Sequence, residues 1–293
     1  MKDTVLAIDF NNVVFASFYG KPLTNSRGMN VNVILSFFNK LKIMKDIIQP
    51  QYIVFASDLS REKTFRRRLY PAYKAQRKPM DENLRDQMRY IGNLVALLGY
   101  HTLNDESYEA DDILGMISRY CNDNDMDCVI VSSDRDLYQL INEHTFIMSP
   151  RADKVLDLQY MKDTYKLTPD QWIEYKVLQG DKSDNIPGIV GIGPKTALQL
   201  LQDFDTIENI YKNIDIIRPA TKEALMLGKD SIELTKKLVT IITDYHLLGI
   251  DINKLIRKEP FPDEIFRLLK HLETYSLFNV MRYSLLPDRP TVE

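Results

Sequence analysis

The sequence predicts an α/β protein whose parallel sheet occupies the first half of the chain and is followed by a smaller helical region. Two observations support this fold class. Short, β-branched and almost continuously apolar runs, which are typical of buried parallel strands, alternate with helical patterns through the first half. From about residue 159 onward, only helical patterns and turns remain. We therefore expect a sheet domain and a helical region, with the boundary near residue 180.

The individual elements follow one another in the alternation that a parallel sheet requires. The candidate strands are TVLAIDF (4–10), YIVFASD (52–58), YHTL (100–103), CVIVSSD (128–134) and TFIMS (145–149). Each is short and bounded by polar or turn residues, which favours a strand over a buried helix. The candidate helices lie at 31–48, 82–98, 109–122 and 136–142, where apolar residues recur at helical spacing.

The composition is that of a globular protein with a substantial core. Of the 293 residues, 44% are hydrophobic and 27% are charged, and the formal net charge is −3. The start of the chain does not resemble a secretion signal, and no apolar run approaches the roughly 18 residues that span a membrane. Cys121 and Cys128 are separated by six residues with no nearby histidine pair, so neither a zinc site nor a disulfide framework is indicated. We expect a protein of a reducing cytoplasm with no membrane partner.

Aspartates lie where the predicted strands end. Asp9 closes the first strand, Asp58 the second and Asp134 the fourth, and Asp136 follows two residues later. Any one of them could be an ordinary turn or N-cap residue. Together they indicate a site, because the carboxyl ends of parallel strands share one edge of a sheet, where ligand crevices form.

The segment YEADD, residues 108–112, places three more acids just before the apolar run ILGMI. Acids in the first turn stabilise a helix through its dipole by roughly 0.3 to 1 kcal/mol each, and one or two would suffice. At about 100° per residue, Glu109 and Asp112 share a face while Asp111 points elsewhere. The residues alone leave helix stabilisation and a metal site equally open.

A further acidic segment, QGDKSDNIPG at 179–188, completes a set of nine carboxylates. They are Asp9, Asp58, Glu109, Asp111, Asp112, Asp134, Asp136, Asp181 and Asp184. Without these nine charges the chain would carry +6 instead of −3, so its negative charge is local. Crowded carboxylates repel one another unless cations relieve them, and oxygen ligands without Cys or paired His favour magnesium or manganese over zinc. So many acids suggest two ions, which at about 3.5 to 4 Å apart suit displacement at phosphorus.

A basic segment lies between the second and third predicted strands. Residues 61–78 carry eight Lys or Arg and one Glu, with Phe65, Tyr70 and Tyr73 interleaved. A charge run is often only a solvated helix face. Here the uniform sign and the interleaved aromatic rings favour binding of nucleic acid.

The second half contains a glycine-rich segment, GIVGIGPKTALQLL at 188–201. It is not a nucleotide-binding P-loop, because Pro194 separates the last glycine from Lys195 and no buried strand leads into it. We expect a hairpin of two helices whose glycine-rich turn brings backbone N–H groups and a helix N-terminus close to a phosphate. A plain tight turn would explain the glycines but not the sequence GPKT.

These motifs occur together, in the order IDFNN, PLTNSRGMN, YPAYKAQR, YEADD, SSDRDLYQL and GDKSDNIPGIVGIGPKTA, along most of the chain. In this combination the sequence resembles the 5′-nuclease family: flap endonucleases, the 5′-to-3′ exonuclease domain of bacterial DNA polymerase I, and stand-alone phage 5′-nucleases. The resemblance implies a PIN-like α/β nuclease core at 1–180 with a helical arch at about 60–98. It also implies a helix-three-turn-helix DNA-binding unit and a C-terminal helical region at 181–293.

The resemblance further implies a two-metal site with magnesium, or manganese in its place. It assigns Asp9, Asp58, Glu109 and Asp111 to the first ion, and Asp112, Asp134, Asp136 and Asp181 to the second, with Asp184 as an additional ligand. It implies that Lys74 and Arg77 reach the scissile phosphate as catalytic residues and that a potassium ion binds at the GIVGIG turn. The DNA-binding residues that we expect are Arg66, Arg67, Arg68, Tyr73 (stacking on a base), Gly191, Gly193, Lys195 and Thr196.

The function implied is a structure-specific 5′ nuclease, a 5′-3′ exonuclease and flap endonuclease acting in replication or repair. We expect a monomer in a bacterial or phage-infected cell, with DNA carrying a 5′ flap or junction as its partner and RNA–DNA hybrid as a further substrate. A PIN-type ribonuclease would share the strand-end acids but would not need the basic segment or GIVGIGPKT. A DNA-binding protein without catalysis would not need nine acids.

Overall fold

The computed structural model describes residues 2–18, 22–59 and 62–286. In these residues a six-stranded sheet has the strand order β3-β2-β1-β4-β5-β6. The strands are β1 (Thr4–Asp9), β2 (Tyr52–Ala56), β3 (His101–Leu103), β4 (Asp127–Val131), β5 (Thr145–Met148) and β6 (Val155–Leu156). The first five strands pair in parallel, and β6 is antiparallel to β5. The predicted parallel α/β sheet is confirmed.

The helices surround this sheet and continue beyond it. The α-helices are α1 (Phe10–Phe18), α2 (Asn32–Ile48), α3 (Phe65–Leu69), α4 (Glu82–Leu97), α5 (Ala110–Asp123), α6 (Leu158–Thr164), α7 (Pro169–Gln179), α8 (Pro194–Phe204), α9 (Ile207–Lys212), α10 (Pro219–Gly228), α11 (Ile232–Val239), α12 (Pro262–Leu272) and α13 (Leu277–Val280). A 3₁₀ helix of two turns lies at Arg135–Leu140, and single-turn 3₁₀ helices lie at Ile214–Ile216, Lys229–Ser231, Tyr245–Leu247 and Ile252–Lys254, with a π-helical turn at Met281–Leu285. No described helix is long and apolar enough to cross a membrane.

Two apolar clusters cover the two faces of the sheet, because successive side chains of each strand point to opposite sides. On β1, Leu6 and Ile8 belong to the cluster with α1, α2, α4, α12 and α13. Val5 and Ala7 belong to the other cluster, with α5, α7, α8 and α11. The helices of the second half therefore extend the core of the sheet domain. The predicted division at residue 180 stays a prediction.

Three local differences from the predicted elements have physical explanations. The helix α1 follows β1 without a break and is apolar on most sides, so its sequence shows no helical period of its own. The segment predicted as a helix at 136–142 forms the short 3₁₀ helix instead, with Asp134 accepting the backbone N–H of Asp136 at 2.9 Å. The strand β6, two residues long, carries too few residues for a pattern.

The segment predicted as an arch, 60–98, divides into two parts. Residues 62–81 contain only the short helix α3 and turns, whereas Ser60 and Arg61 lie outside the described residues. The helix α4 packs into the core, with Leu84, Ile91 and Leu94 at most 2% exposed. The part that can pass over the sheet edge is therefore 62–81, shorter than predicted, because α4 has a buried face.

The last described helices return to the first part of the chain. Leu269 of α12 and Leu277 of α13 are fully buried in the same cluster as α2 and α4. Arg257 also ties this segment to α4, since its guanidinium donates to the carbonyl oxygens of Leu98 and Leu285 at 2.7 and 2.6 Å. Residues 262–286 thus contribute to the core that holds the sheet.

Candidate active site

The strand order brings three acids to one pocket at the carboxyl edge of the sheet. β1 lies between β2 and β4, and Asp9 is in register with Ala56 of β2, so Asp58 and Asp134 follow on either side. The pocket has a volume of about 130 Å³. Its lining residues are Asp9, Asn11, Asn12, Phe15, Asp58, Lys74, Arg77, Glu109, Ala110, Asp111 and Asp134. Five of the nine predicted carboxylates meet there.

Hydrogen bonds hold the two central acids of the pocket in place. Asp9 accepts the backbone N–H of Asn12 at 3.0 Å and the hydroxyl of Ser132 at 2.9 Å. Asp58 accepts the backbone N–H of Ala110, at the start of α5, at 2.9 Å. These bonds connect the ends of β1 and β4 and the N-terminus of α5, so the acids are fixed by the sheet edge and not by a flexible loop.

Asp9 and Asp111, which line the pocket, resist ionisation. Burial, assisted by the neighbouring Asp58 and Asp134, raises the pKa of Asp9 from 3.8 to about 7, although two hydrogen bonds act in the opposite direction. Burial, together with Asp134 and Asp9, also raises the pKa of Asp111 well above its ordinary value. Carboxylates in this condition are stabilised by any cation that enters the pocket.

The start of α5 separates the acids of YEADD into two roles. Asp111 lines the pocket, whereas Asp112 is fully buried and faces away from it. Asp112 accepts the backbone N–H groups of Glu109 and Ile242, each at 3.0 Å. It also accepts two bonds from the guanidinium of Arg66, at 2.6 and 2.8 Å. Asp112 therefore stabilises the start of α5, whereas Asp111 belongs to the pocket.

Two predicted roles need correction for this reason. The oxygens of Asp112 already accept four hydrogen bonds, so Asp112 does not offer a ligand to the pocket. Arg66 is only 3% exposed and also donates to the carbonyl oxygens of Leu238 and Thr240, at 2.8 and 2.9 Å. The prediction that Arg66 contacts DNA is wrong in this structure, since the side chain forms a buried ion pair.

Lys74 and Arg77 line the pocket opposite the sheet edge. The ammonium of Lys74 lies 2.6 Å from Oε1 of Glu109 and 3.5 Å from Oδ2 of Asp184, and Arg77 pairs with Asp184. Burial alone would lower the pKa of Lys74, but Glu109 and Asp184 outweigh it and raise the pKa. The backbone of Lys74 is left-handed, with φ of 52°, and its N–H donates to the carbonyl oxygen of Asp184 at 2.9 Å. Strained backbone of this kind is costly and persists where the surroundings enforce it.

Tyr73 is buried, which corrects its predicted role in base stacking. It is 3% exposed, and its hydroxyl donates to Glu109 at 2.7 Å, with Asp184 at 3.2 Å. Burial and these two carboxylates raise its pKa. Its hydroxyl therefore helps to hold these acids, and its buried ring has no free face for a base.

The remaining acids pair with a lysine that the sequence did not single out. Lys176 of α7 lies 2.6 Å from Asp136 and 2.5 Å from Asp181. Although burial acts in the opposite direction, the bonds from Lys176 and Ser183 lower the pKa of Asp181 to about 2. Burial and the repulsion of Asp134 keep the pKa of Asp136 at about 6, despite Lys176. The ammonium of Lys176 thus outweighs the effect of burial on the pKa of Asp181 but not on the pKa of Asp136.

Glycines close the loop that carries Asp181 and Asp184. A Cβ on Gly188 would lie 2.2 Å from the carbonyl carbon of Gln179, and one on Gly180 would lie 2.2 Å from the nitrogen of Gly188. Two backbone segments therefore touch at this point. Within the loop, the backbone N–H groups of Asp181 and Ile186 bond to each other's carbonyl oxygens at 2.9 and 2.8 Å. The motif QGDKSDNIPG builds this tight loop.

The helical hairpin consists of α7, the turn at 188–193 and α8. Gly193 is the N-cap of α8 and Pro194 its first residue, as expected for a helix that begins at GPKT. Gly191, Gly193 and Lys195 are exposed. The remaining predicted DNA-binding residues are also accessible, with Arg68 exposed and Arg67 and Thr196 partly exposed. Their contact with DNA stays a prediction.

The chemistry of the pocket fits a hard divalent cation. No group of three or more Asp, Glu, His or Cys in the described residues is already arranged as a finished metal site. However, the nine acids contact only four cationic side chains among the described residues, Arg66, Lys74, Arg77 and Lys176. The buried Oδ1 of Asn11, which lines the pocket, has no hydrogen-bond partner within the described residues. An excess of negative charge and an unpartnered oxygen are what a cation would satisfy.

Sequence reasoning missed Asn11 and Lys176. Asn11 lies two residues after Asp9 in IDFNN, and its Nδ2 donates to Asp58 at 3.1 Å. Its position beside a strand-end acid was the available signal. Lys176 had no comparable signal, because Asp181 lies beyond the end of α7 and Asp136 is forty residues away in sequence.

The chain matches one protein family over most of its length. Residues 4–166 match the N-terminal, resolvase-like domain of 5′-3′ exonucleases, and residues 167–263 match their C-terminal SAM fold. A 5′-3′ exonuclease of Halalkalibacterium halodurans is 34% identical over 271 residues, which cover 87% of this chain and 89% of that protein.

Other similarities agree with this assignment. DNA polymerase I of Caldicellulosiruptor bescii is 34% identical over 280 residues, which cover 93% of this chain and 33% of the polymerase. The chain thus spans about a third of the length of the DNA polymerase I relatives that it matches. A flap endonuclease of bacteriophage T5, solved with DNA and metal ions, has a TM-score of 0.66 at 18% identity and covers 92% of this chain and 99% of its own. That likeness shows the fold, while the family match and the 34% identity to a full-length exonuclease show the lineage: the chain belongs to the 5′-3′ exonuclease family.

Proposed function

We propose that this protein is a structure-specific 5′ nuclease that hydrolyses phosphodiester bonds near the junction of single-stranded and duplex DNA. The observation that carries the proposal is the pocket in which Asp9, Asp58, Glu109, Asp111 and Asp134 face Lys74 and Arg77. Acidic side chains that can bind cations lie there beside basic side chains that can bind phosphate. The family membership and the exposed hairpin turn support the same conclusion.

The acids of the pocket would hold magnesium or manganese. When bound, such ions neutralise charge on a phosphodiester and lower the pKa of coordinated water. Lys74 and Arg77 would bind the oxygens of the phosphate that is cut and stabilise the charge that develops there. We propose a two-ion site, as the nine acids suggest, with Asp136, Asp181 and Asp184 at its outer side.

The substrate would approach along two surfaces. Lys74 and Arg77 of the basic segment 61–78 line the pocket, and the same segment would offer Arg67 and Arg68 to the single strand. The hairpin turn at 188–193 offers backbone and Lys195 to the duplex, which gives affinity without sequence recognition. We propose DNA with a 5′ flap or junction as the partner, RNA–DNA hybrid as a further substrate, and a monomer acting in the cytoplasm of a bacterial or phage-infected cell.

A potassium ion at the hairpin turn is part of the same proposal. The turn contains Gly191 in a left-handed conformation, with φ of 92°, and an exposed backbone that faces solvent. Affinity for duplex DNA should then be higher in potassium chloride than in lithium chloride at equal ionic strength. Equal affinity in the two salts would remove potassium from the proposal.

The direct test is a 5′-labelled flap DNA incubated with and without magnesium. We expect cleavage near the junction only with the metal, and the lengths of the products will separate exonuclease from flap endonuclease activity. Asp134→Ala should abolish turnover and leave flap binding nearly unchanged, because it removes a cation ligand and not a DNA contact. Unchanged cleavage by this variant would reject the pocket as the active site.

A matched single-stranded RNA tests the ribonuclease alternative. A PIN-type ribonuclease would use the same strand-end acids and would cut the RNA in preference to the flap. We expect the opposite, since the basic segment and the hairpin are suited to a branched duplex.

A further inference from the structure

Lys176 occupies the space between two of the acids assigned to the second cation. It is 6% exposed and lies in the last turn of α7, four residues before Gly180, where the loop begins. Its ammonium lies 2.6 Å from Oδ1 of Asp136 and 2.5 Å from Oδ2 of Asp181. Each acid therefore presents one oxygen to the lysine.

The other oxygen of Asp181 is not free to bind a metal. Oδ1 accepts the backbone N–H and the hydroxyl of Ser183, at 2.7 and 2.6 Å, and the backbone N–H of Asp184, at 3.1 Å. These bonds hold the tight loop together. A divalent ion that binds Asp181 directly must therefore take the oxygen that Lys176 now holds.

Four acids of the open pocket, three from the set assigned to the first ion and Asp134 from the set assigned to the second, are in a different condition; Glu109, also assigned to the first ion, pairs with Lys74 and Arg66. Asp9, Asp58, Asp111 and Asp134 line the open pocket, and no lysine or arginine within the described residues forms an ion pair with them. A first ion can bind there without displacing a cation. The two groups should consequently differ in their affinity for the same metal.

We propose that Lys176 is a built-in cation that substitutes for the second metal ion in the DNA-free protein, so that a second ion binds only by displacing its ammonium. This inference rests on the proposed function, because it uses the same acidic site. The lysine acts as a positioning residue: it holds Asp136 and Asp181 together until a divalent ion replaces it. Two ions then bind in sequence, the first tightly and the second weakly.

Binding of Mn²⁺ alone, without DNA, measures this difference. Calorimetry and electron paramagnetic resonance should find one tight Mn²⁺ in the unmodified protein and a second that is at least about tenfold weaker. Lys176→Met should strengthen the second ion by at least about tenfold, because the competing charge is gone. Lys176→Arg, which keeps the charge, should behave like the unmodified protein. Lys212→Met, which removes a lysine from the exposed pair with Glu208, is the matched control and should change neither ion.

Stability provides a second readout that does not depend on activity. Metal-free Lys176→Met should unfold at a lower temperature than the unmodified protein, since Asp136 and Asp181 lose their cation. Saturating Mn²⁺ should raise its unfolding temperature by more than that of the unmodified protein. If the Met variant does not fold, Lys176→Gln keeps a hydrogen-bond donor without charge and serves the same comparison.

The outcomes separate this inference from the proposed function. Two equally tight Mn²⁺ ions in the unmodified protein, or a second ion that is unchanged or lost in both uncharged variants, would overturn the role of Lys176. A protein that binds Mn²⁺ as expected but never cuts flap DNA would keep this inference and reject the nuclease. Cleavage of flap DNA together with an unchanged second ion in both uncharged variants would keep the nuclease and reject the inference.

Discussion

Asp9 and Asp181 show how differently two acids of the site are treated by their surroundings. Asp181, beside Lys176, has its pKa lowered to about 2, although its burial acts against this. Asp9, which forms no ion pair within the described residues, has its pKa raised to about 7, chiefly by burial. The same residue type thus behaves as a permanent anion in one place and as a partly protonated group in another. Metal binding should matter most where no protein cation is present.

Asp9→Asn should change the pH dependence of stability in the metal-free protein. The pKa of Asp9 is higher in the folded state than its ordinary 3.8, so the folded state binds the proton more tightly. The unmodified protein therefore loses stability as pH rises from about 4 to 7, by up to about 1.4 kcal/mol per pH unit. Asp9→Asn avoids this loss and should be relatively more stable above pH 7 than below pH 4. Urea unfolding in a chelator at several pH values measures it.

Asp181→Asn is the control, because the pKa of Asp181 is lowered whereas that of Asp9 is raised. The lowered pKa of Asp181 contributes stability above its ordinary pKa of 3.8, which is lost as pH falls through about 2. Asp181→Asn should therefore be less stable than the unmodified protein at neutral pH. If the free energy of unfolding changed with pH in the same way for Asp9→Asn and the unmodified protein, the pKa of Asp9 would not be raised by its surroundings.

Lys74→Ala should reduce turnover far more than affinity for DNA. The ammonium lies at the edge of the pocket, 2.6 Å from Glu109, where it can reach a phosphate. Loss of one such charge at a reacting phosphate costs about 10²- to 10³-fold in rate. Single-turnover cleavage and fluorescence anisotropy of a labelled flap measure the two effects. Lys63→Ala, at an exposed lysine paired with Glu106, should leave the rate of the chemical step unchanged.

A variant of Lys74 that loses only affinity would place the lysine among the phosphate contacts and not in catalysis. The left-handed backbone of Lys74 is the reason that we expect a role in catalysis and not only in binding. The strained turn holds the side chain against Glu109 and Asp184 before any substrate arrives. Such preorganisation is typical of groups that act on the reacting atoms.

Among the larger elements, the loop at 180–188 places two of the acids, and its closure depends on glycine. Gly188→Ala should destabilise the protein by about 2 kcal/mol or more, because the added Cβ would lie 2.2 Å from the backbone of Gln179. Gly193→Ala is the matched control, since a Cβ there meets nothing within 4 Å. Urea unfolding of both variants compares them. Equal stability would mean that the loop can open at little cost.

Helix α4 shows how an element can be predicted correctly and still be placed wrongly. Its bounds, Glu82–Leu97, nearly coincide with the predicted 82–98. It was expected to be part of an arch, yet Ile91 and Leu94 are fully buried. Its apolar face was visible in the sequence, but the partner of that face was not, because it includes α12, which lies far along the chain.

Over the molecule as a whole, the charge is divided between an acidic pocket and basic surfaces. Binding of DNA should weaken steeply with salt, since phosphate contacts release counterions. Lys195→Ala and Arg68→Ala should each reduce the slope of log affinity against log salt by about 1, because each removes one phosphate contact. Anisotropy titrations over a range of salt concentrations measure the slope. Arg66 is buried and is not part of this basic surface. An unchanged slope in both variants would mean that DNA binds at a different surface.

Local features of the chain were sufficient to predict five of the six described strands, the approximate bounds of α2, α4 and α5, and the five acids of the pocket. Strands and helices have periods that are visible over ten residues, and an aspartate at the end of a parallel strand reaches a shared edge whatever the rest of the fold does. Asp9, Asp58 and Asp134 needed nothing more. The glycine-rich turn of the hairpin was equally readable.

The tertiary structure alone decided which charged groups neutralise one another. Asp112 and Asp111 are adjacent in sequence, yet one pairs with the buried Arg66 and the other lines the pocket. Lys176 reaches Asp136 only because α7 packs against the 3₁₀ helix Arg135–Leu140, which contains Asp136. The ionisation and burial of a side chain depend on neighbours brought from distant parts of the chain, and no local pattern records those distances.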